Sequence, residues 1–319
     1  MSYKCASFFA GVGGIDIGFT KAGFKVVFAN EIDKYAAETF KSNFPDVNLK
    51  VGDIQKLDEK SEIPDFDIML AGFPCQAFSI AGYRQGFEDE KGRGNLFFDL
   101  LRIIDEKKPH VVFLENVKNL FTHDDRKTYN RIEFELTHRG YDVTPMVLNA
   151  SEYGNVPQSR ERIYIVCFKN PEHAEKFHML KPIKLKTTLK DVIDFDTKQP
   201  EKFYYNDKCK FYDHLTEEII KSDTCYQWRR KYVRENKSKL CPTLTANMGT
   251  GGHNVPIIRT HTGEIRKLTP RECFNLQGYP RDYILPTTQS NASLYKQAGN
   301  SVVVTVIERI ATNIMNAIK

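Results

Sequence analysis

The first half of this chain alternates two textures, and that alternation limits its fold more than any other feature. "KCASFF" reads as a strand, "IDIGFTKAG" as a helix closed by Gly23, "KVVFAN" as a second strand and "DKYAAETFKSNF" as a second helix. "FDIML", the helical "NLFFDLLRIIDEKK" and the strand "HVVFLEN" continue the series. Such alternation marks βαβ units, whose strands form a parallel sheet with helices on both faces. "YDVTPMVLNA" and "RIYIVCF", joined by "SEYGNVPQSRE", are expected as two further strands, paired antiparallel at the sheet edge. The expected class is α/β with a mixed, mostly parallel sheet.

The texture changes near Lys181. From there to about Tyr279 the periodicity is weak, turn residues are many and aromatics are scattered, which predicts a smaller, irregular second domain. A helical pattern returns in "SVVVTVIERIATNIMNAI", where Val303, Val306, Ile307, Ile310 and Ile314 recur at helical spacing. That helix is expected to return to the first domain. At 319 residues the chain has room for two domains, and 41% hydrophobic content supplies a core. A net charge of +5 permits a nucleic-acid partner without demanding one. Seven cysteines without CxxC spacing argue against a zinc site or a disulfide framework and for a reducing compartment. Glycines and Asp16 interrupt the N-terminal apolar stretch, and no continuous apolar run has the length of a membrane span. The expected location is the cytoplasm, with no metal.

"FFAGVGGIDIGF" places glycines between the first strand and the first helix, where backbone can approach a ligand. The dinucleotide pattern GxGxxG fails, because Asp16 stands where the third glycine would be. A tight turn explains the glycines equally well until two carboxylates join them. Glu31 ends the second strand in "ANEID", and Asp53 lies in "VGDI" at the end of a third. Carboxylates at those strand ends can accept hydrogen bonds from ribose hydroxyls and an adenine amine. With no Walker lysine in the loop, the expected ligand is a nucleoside lacking a triphosphate. Cys75, behind Pro74 in "AGFPCQAFSIAGYRQGFEDEKGRG", leaves a strand and enters a polar, glycine-rich stretch with no core pattern. By itself it reads as a structural thiol.

In order along the chain stand "FFAGVGG", "ANEID", "GDI", "GFPCQAFS", "ENVKN", "VPQSRERIYIV", "RKLTPRECFNLQGYP" and "YKQAGNSVVV". With these blocks the chain resembles the bacterial DNA (cytosine-5)-methyltransferases of type II restriction–modification systems. The resemblance implies a Rossmann-like fold that uses S-adenosylmethionine, in a catalytic domain over 1–186. It further implies a target-recognition domain over 187–279 and a hinge with the C-terminal helix over 280–319. It assigns Cys75 as the nucleophile that adds to carbon 6 of a cytosine rotated out of double-stranded DNA. Pro74 helps fix the backbone there, and a closing lid follows Cys75. Glu115 holds ring nitrogen 3 and the exocyclic amine, and Arg162 contacts the cytosine oxygen with Arg160 as neighbour and support. For the cofactor it implies Phe9, Gly11, Gly14, Glu31, Ile32, Asp53, Ile54 and Asn300, although Phe9 reads equally as core. The resemblance names no base for the carbon 5 proton, and water can serve.

On the DNA side, "TCYQWRRKYVRENKSK" carries Arg229, Arg230, Lys231, Arg234, Lys237 and Lys239, opposed by Glu235 and interleaved with Tyr226, Trp228 and Tyr232. Such a run suits phosphate contacts and also occurs as a plain solvated face. Thr243 and Leu244 resemble the short Thr-Leu signature of the family's recognition domains. Asn247, Gly251 and His253 in "TANMGTGGHN" suit base reading or a turn-rich loop. The partners expected are DNA and a cognate restriction endonuclease, with the enzyme a monomer. Three other readings stand beside this one. A cytosine methyltransferase acting on RNA is opposed by the sizeable recognition region. A non-catalytic DNA-binding homologue is opposed by the intact Cys75, Glu115 and Arg162 set. A nicotinamide-dependent oxidoreductase is opposed by the failed GxGxxG pattern.

Overall fold

The structure, a computed structural model, describes residues 2–74, 96–250 and 255–319. They form two compact units. The first comprises Met1–Leu148, Glu161–Leu180 and Ile307–Lys319, and the second Asn149–Arg160 with Lys181–Val306.

The first unit is built on seven strands: β1 (Lys4–Phe8), β2 (Lys25–Glu31), β3 (Asn48–Val51), β4 (Ile68–Ala71), β5 (Val111–Val117), β6 (Asp142–Asn149) and β7 (Glu161–Phe168). Their order is β3-β2-β1-β4-β5-β7-β6. The pairs β1–β2, β1–β4, β2–β3 and β4–β5 are parallel, and β7 runs antiparallel to β5. The sheet turns direction between β1 and β4, so the carboxyl ends of these two strands flank the switch point where open α/β sheets bind ligands. The glycine loop leaves β1 and the segment Gly72–Pro74 leaves β4.

Local chemistry starts and orients the helices around this sheet. In α1 (Gly14–Lys21), a Cβ added to Gly18 would stand 2.5 Å from Ile307 Cγ2, so only glycine lets the last helix approach this closely. Helix α2 (Lys34–Asn43) is capped by Asp33, whose carboxylate accepts from the amides of Tyr35 and Ala36. Helix α3 (Leu96–Lys107) buries Phe97, Leu100, Leu101, Ile103 and Ile104 along one stripe, and α4 is Lys127–His138. Between helices and sheet lie Phe8, Phe28, Met69, Leu114 and Ile165, all at most 1% exposed. Burying a side chain of this size contributes roughly 1.5–3 kcal/mol.

The second unit contains a four-stranded antiparallel sheet ordered β11-β10-β8-β9. Its strands are β8 (Tyr226–Trp228), β9 (Val233–Glu235), β10 (Ile257–Arg259) and β11 (Ile265–Lys267). Leu215, Ile219, Tyr226, Trp228, Val233, Ile257 and Ile265 form its core. Tyr226 is wholly buried, and Trp228 stacks on Phe211 at 4.6 Å. These two aromatics hold the sheet rather than offering faces to a nucleic acid, whereas Tyr232 is 59% exposed.

Two helices that the periodicity does not reveal follow: α5 (Pro270–Leu276) and α6 (Asn291–Asn300). Helix α5 is started by a capping box between Thr269 and Glu272 and by Pro270 in its first turn. Glu272 also accepts from the fully buried Arg266 at 2.7 and 2.9 Å. Helix α7 (Val304–Ile318) begins after the extended Ser301–Val303 segment, and from Ile307 onward it belongs to the first unit. The division into units thus differs from boundaries at 186/187 and 279/280, because 149–160 and 280–306 make their contacts within the second unit. An 18-residue window within Asn291–Ile318 has a mean hydropathy of 1.3, apolar enough for a membrane span by composition, but 61% of that window is buried in the protein.

Candidate active site and nucleic-acid interface

The glycine loop and the end of β2 build one carboxylate site. Phe9 adopts φ 54°, Gly11 φ 55° and Gly13 φ 80°, so the chain turns sharply as it leaves β1. The Gly11 amide then donates to Glu31 Oε2 at 2.7 Å, and the Asp33 amide donates to Oε1 at 2.7 Å. Glu31 is 8% exposed, and its burial raises the carboxyl above its ordinary range against the opposing pull of those amides. Asp53 is half-buried and caps the short turn Ile54–Lys56, accepting from the Gln55 amide at 3.1 Å.

Ile32 follows Glu31 directly and is 63% exposed, an apolar face beside two acceptors. A Cβ added at Gly11 would meet none of the described residues within 4 Å, so the loop borders open space among them. Exposed apolar face, fixed carboxylate and open glycine backbone fit an adenosine-type ligand. Phe9 is partly exposed and packs against the sheet core, so both readings of it stand. Ile54 is 2% exposed within that core and its carbonyl accepts from Arg102, so its side chain is structural. Gly14 opens α1, and Asn300 is an exposed residue at the end of α6, in the second unit.

The second cluster lies at the ends of β4 and β5. Glu115, 9% exposed, pairs with Arg162 of β7, whose Nε stands 3.3 Å from Glu115 Oε1. Antiparallel register sets Glu115 opposite Tyr164 and Val117 opposite Arg162, so the two side chains share a face as a diagonal pair. A Cβ on Gly72 would stand 3.6 Å from Glu115 Oε2, which puts the exit of β4 beside this carboxylate. Asn116 ties the same exit down, donating from Nδ2 to the carbonyl of Phe73 at 2.8 Å. Pro74 is exposed at the end of that segment, and Cys75 lies outside the described residues. Sequence reasoning assigned no work to Asn116, and its position inside "ENV" was the available signal.

Arg160 does something different from Arg162. It is 2% exposed, and its guanidinium donates to the carbonyls of Leu244 at 2.8 Å, Gly299 at 3.2 Å and Ser301. Gln158 adds a bond from the Leu244 amide to its Oε1 at 3.3 Å and donates to Leu276 O at 3.0 Å. A Cβ at Gly299 would sit 2.1 Å from the Thr245 carbonyl carbon, so glycine is obligatory where α6 meets this strand-like segment. Arg160 is therefore a clamp on the backbone of the second unit, and the support it lends is structural.

One buried acid was not singled out by its motif. Asp16, in the first turn of α1, is wholly buried and receives the Ser7 hydroxyl on Oδ2 at 3.2 Å, while Oδ1 has no partner among the described residues. Burial raises its carboxyl to about 7. An acid interrupting an otherwise apolar face was its signal in the sequence.

On the second unit the charged run divides. Lys239 pairs with Asp223 at 2.5 Å and Lys221 with Glu235 at 2.8 Å. Arg229, Arg230 and Arg234 are exposed. Arg229 and Arg234 line a cavity of about 550 Å³ together with Thr243, Thr245 and Asn247. The Thr243 hydroxyl donates to Ser159 O at 2.6 Å, and Asn247 Oδ1 accepts from the Thr245 hydroxyl at 2.8 Å. Gly251 and His253 lie outside the described residues. Among the described residues no group of histidine, cysteine and acidic side chains could hold a metal ion.

Known proteins resemble this chain over almost its full length. The family model for C-5 cytosine-specific DNA methylase matches residues 3–316. The type II methyltransferase M.Bsp6I of a Bacillus species is 58% identical over 313 residues, with 98% of each chain covered. The type II methyltransferase M.HhaI of Haemophilus parahaemolyticus is 41% identical over 319 residues, covering 96% of this chain and 92% of that one. Among solved structures, a variant of Spodoptera frugiperda DNMT2 superposes with a TM-score of 0.77 at 23% identity, covering 98% of this chain and 100% of the other. That likeness supports the mostly parallel seven-stranded architecture. The sequence matches go further, and the chain belongs to the C-5 cytosine-specific DNA methylase family, the enzymes that methylate cytosine in DNA.

Proposed function

We propose that this enzyme transfers a methyl group from S-adenosylmethionine to carbon 5 of a cytosine rotated out of a specific double-stranded DNA sequence. The observation that carries the reading is the Glu115–Arg162 pair, standing beside Gly72 on the segment that leads into Pro74 and Cys75. Glu31 accepts hydrogen bonds from the ribose hydroxyls, Asp53 takes the adenine amine, and Ile32 packs on the adenine face. Gly11 and Gly14 let backbone approach, and Asn300 serves the methionine end. The bound cofactor supplies an electrophilic methyl group.

Carbon 5 of cytosine is too weak a nucleophile to take that methyl unaided. The Cys75 thiolate adds to carbon 6, and the electron pair of the 5,6 double bond becomes available at carbon 5. Glu115 stabilises the proton on ring nitrogen 3 as charge arrives, and Arg162 faces the exocyclic carbonyl oxygen of the cytosine. Carbon 5 then takes the methyl. Loss of its proton to a base or water restores the double bond, and the Cys75 thiolate leaves. Five of the other cysteines are poorly suited to this role. Cys5, Cys167, Cys225, Cys241 and Cys273 are buried, and burial holds the thiols of Cys5, Cys167, Cys241 and Cys273 above the ordinary range. The enzyme works as a monomer in the cytoplasm and protects host DNA from a cognate restriction endonuclease.

The test is covalent trapping on a duplex carrying 5-fluorocytosine at the target, where fluorine replaces the departing proton. The wild-type chain with cofactor is expected to form a stable adduct that maps to Cys75. Cys75→Ser is expected to bind cofactor and yield neither adduct nor methyl transfer. An adduct at another cysteine, or normal turnover by the serine variant, would overturn the mechanism.

A further inference from the structure

The charged hairpin of the second unit separates its cations by position. Strands β8 and β9 pair Tyr226 with Glu235, Gln227 with Arg234 and Trp228 with Val233. Tyr226, Trp228 and Val233 turn to the core, so Gln227 and Arg234 share the opposite face. β9 is the last strand of its sheet, which leaves this two-stranded ribbon open along one side. At the turn, the Lys231 amide bonds Arg229 O and the Arg229 amide bonds Tyr232 O, while Arg230 adopts φ 64°. Arg230 and Lys231 therefore stand exposed at the tip, away from the pairs that neutralise Lys221 and Lys239.

Arg234 stands elsewhere. Its backbone pairs with Gln227, but its guanidinium makes no ion pair or hydrogen bond among the described residues, and it lines the cavity of about 550 Å³. The other walls carry the side-chain amides of Gln227, Asn236 and Asn247 and the hydroxyls of Thr243 and Thr245. Among the described residues no carboxylate lines it, and the one other cation there, Arg229, is held by Gln227 Oε1 at 3.2 Å. Neutral amides and hydroxyls around one unconstrained guanidinium are the chemistry of base edges. A phosphate site gathers several cations.

We propose that Arg234 is a specificity-determining residue that reads a guanine through its O6 and N7 in the major groove, while Arg230 and Lys231 at the hairpin tip contact phosphates. The planar fork of arginine matches those two acceptors, and the hairpin, whose β8 joins β10 only at Tyr226 and Ile257, continues beyond that pair as two strands, narrow enough to enter that groove. The adjacent Gln227, engaged with Arg229, sets the lateral position of the pair. The inference rests on the proposed function, because it requires that this unit meet duplex DNA.

The experiment uses the full chain with cofactor and a library of cytosine-containing duplexes, scored by bisulfite sequencing. The variants are Arg234→Gln, Arg234→Lys and the double variant Arg230→Ala with Lys231→Ala. On the duplex the wild type prefers, each guanine is replaced in turn by 7-deazaguanine, which lacks the N7 acceptor. One such replacement is expected to cost the wild type roughly ten- to a hundredfold in kcat/KM. Arg234→Gln should lose preference at that same position and be indifferent to the replacement. Arg234→Lys, which keeps the charge without the fork, should lose most of that preference too. The tip variant should keep every base preference and reduce the slope of log affinity against log salt by about one to two. If Arg234→Gln keeps full discrimination everywhere, with or without a smaller salt slope, Arg234 is not a base reader and the inference fails. If the wild type methylates no duplex at all, the proposed function fails first and this inference with it.

Discussion

The strand ends of the seven-stranded sheet and the hairpin of the small sheet treat their polar residues in opposite ways. At the strand ends the side chains proposed to act are themselves pinned: Glu31 by two amides and Glu115 by Arg162. In the second unit the buried polar groups pin backbone instead, Arg160 and Gln158 holding the segment around Leu244. The side chains facing outward there, Arg230 and Arg234 among them, are left without ion pairs among the described residues. A reacting group must be held within a fraction of an ångström of its target, so hydrogen bonds are spent on the side chain. A surface that meets a variable partner is better served by a rigid frame carrying unconstrained heads.

The contrast breaks if a pinned side chain proves to be structural. Glu115→Gln keeps the shape of the side chain and removes its charge and its proton chemistry. It is expected to lower methyl transfer by about 10²–10⁴-fold with little change in stability. Single-turnover kinetics beside chemical denaturation measure both. A variant that loses several kcal/mol of stability while keeping its rate would place Glu115 with Arg160, among the frame residues.

A second expected effect concerns Asp16, a wholly buried acid of the first unit with one oxygen left unpartnered among the described residues. Its carboxyl sits near 7 when folded and in the ordinary range, close to 4, when unfolded. Below pH 4 it is neutral in both states and its burial carries no charge penalty. As pH rises toward 7 the unfolded chain releases the proton first, so the stability associated with this group is lost across that window. The full shift corresponds to an upper bound of about 4 kcal/mol. Asp16→Asn cannot ionise and is expected to show a flatter stability profile between pH 4 and 7 than the wild type. Parallel profiles in urea titrations would mean that Asp16 reaches water or an unseen partner.

The third and smallest effect sharpens the comparison, because Arg160 and Arg162 lie two residues apart. Arg160→Met is expected to destabilise the protein by about 2–3 kcal/mol, since it removes charge-assisted bonds to three buried carbonyls. Arg162→Ala removes a single pair, between side chains 14% and 11% exposed, and should cost less stability than Arg160→Met while falling mainly on the rate. Thermal unfolding beside initial rates separates the two. Equal stability losses would show that the two arginines share one role.

Much of the first unit was legible before the structure. Alternating runs announced β1, β2, β4 and β5 because hydrophobic periodicity is a local property, and the glycines marked where β1 must release the chain. The second unit hid α5 and α6, whose apolar faces are short. The "LTPRE" start of α5, with its Thr269–Glu272 box, was a readable signal that periodicity alone passes over. Tyr226 and Trp228 read as interleaved with the cations, yet both are buried. Their direction depends on the β8–β9 register, which no local pattern states. Ile54 likewise reads as part of the "GDI" cofactor block, while its side chain belongs to the core.

By itself, then, the order of residues determined the α/β class, the family and the set of chemical groups available, because spacing and motif order are carried along the chain. Tertiary structure decided which of two arginines meets Glu115, which lysines are already neutralised and which guanidinium on the hairpin remains unengaged. Those outcomes depend on antiparallel register and on contacts between residues more than a hundred positions apart, such as Arg160 with Gly299 and Ser301. Only closure of the fold brings those residues within hydrogen-bonding distance.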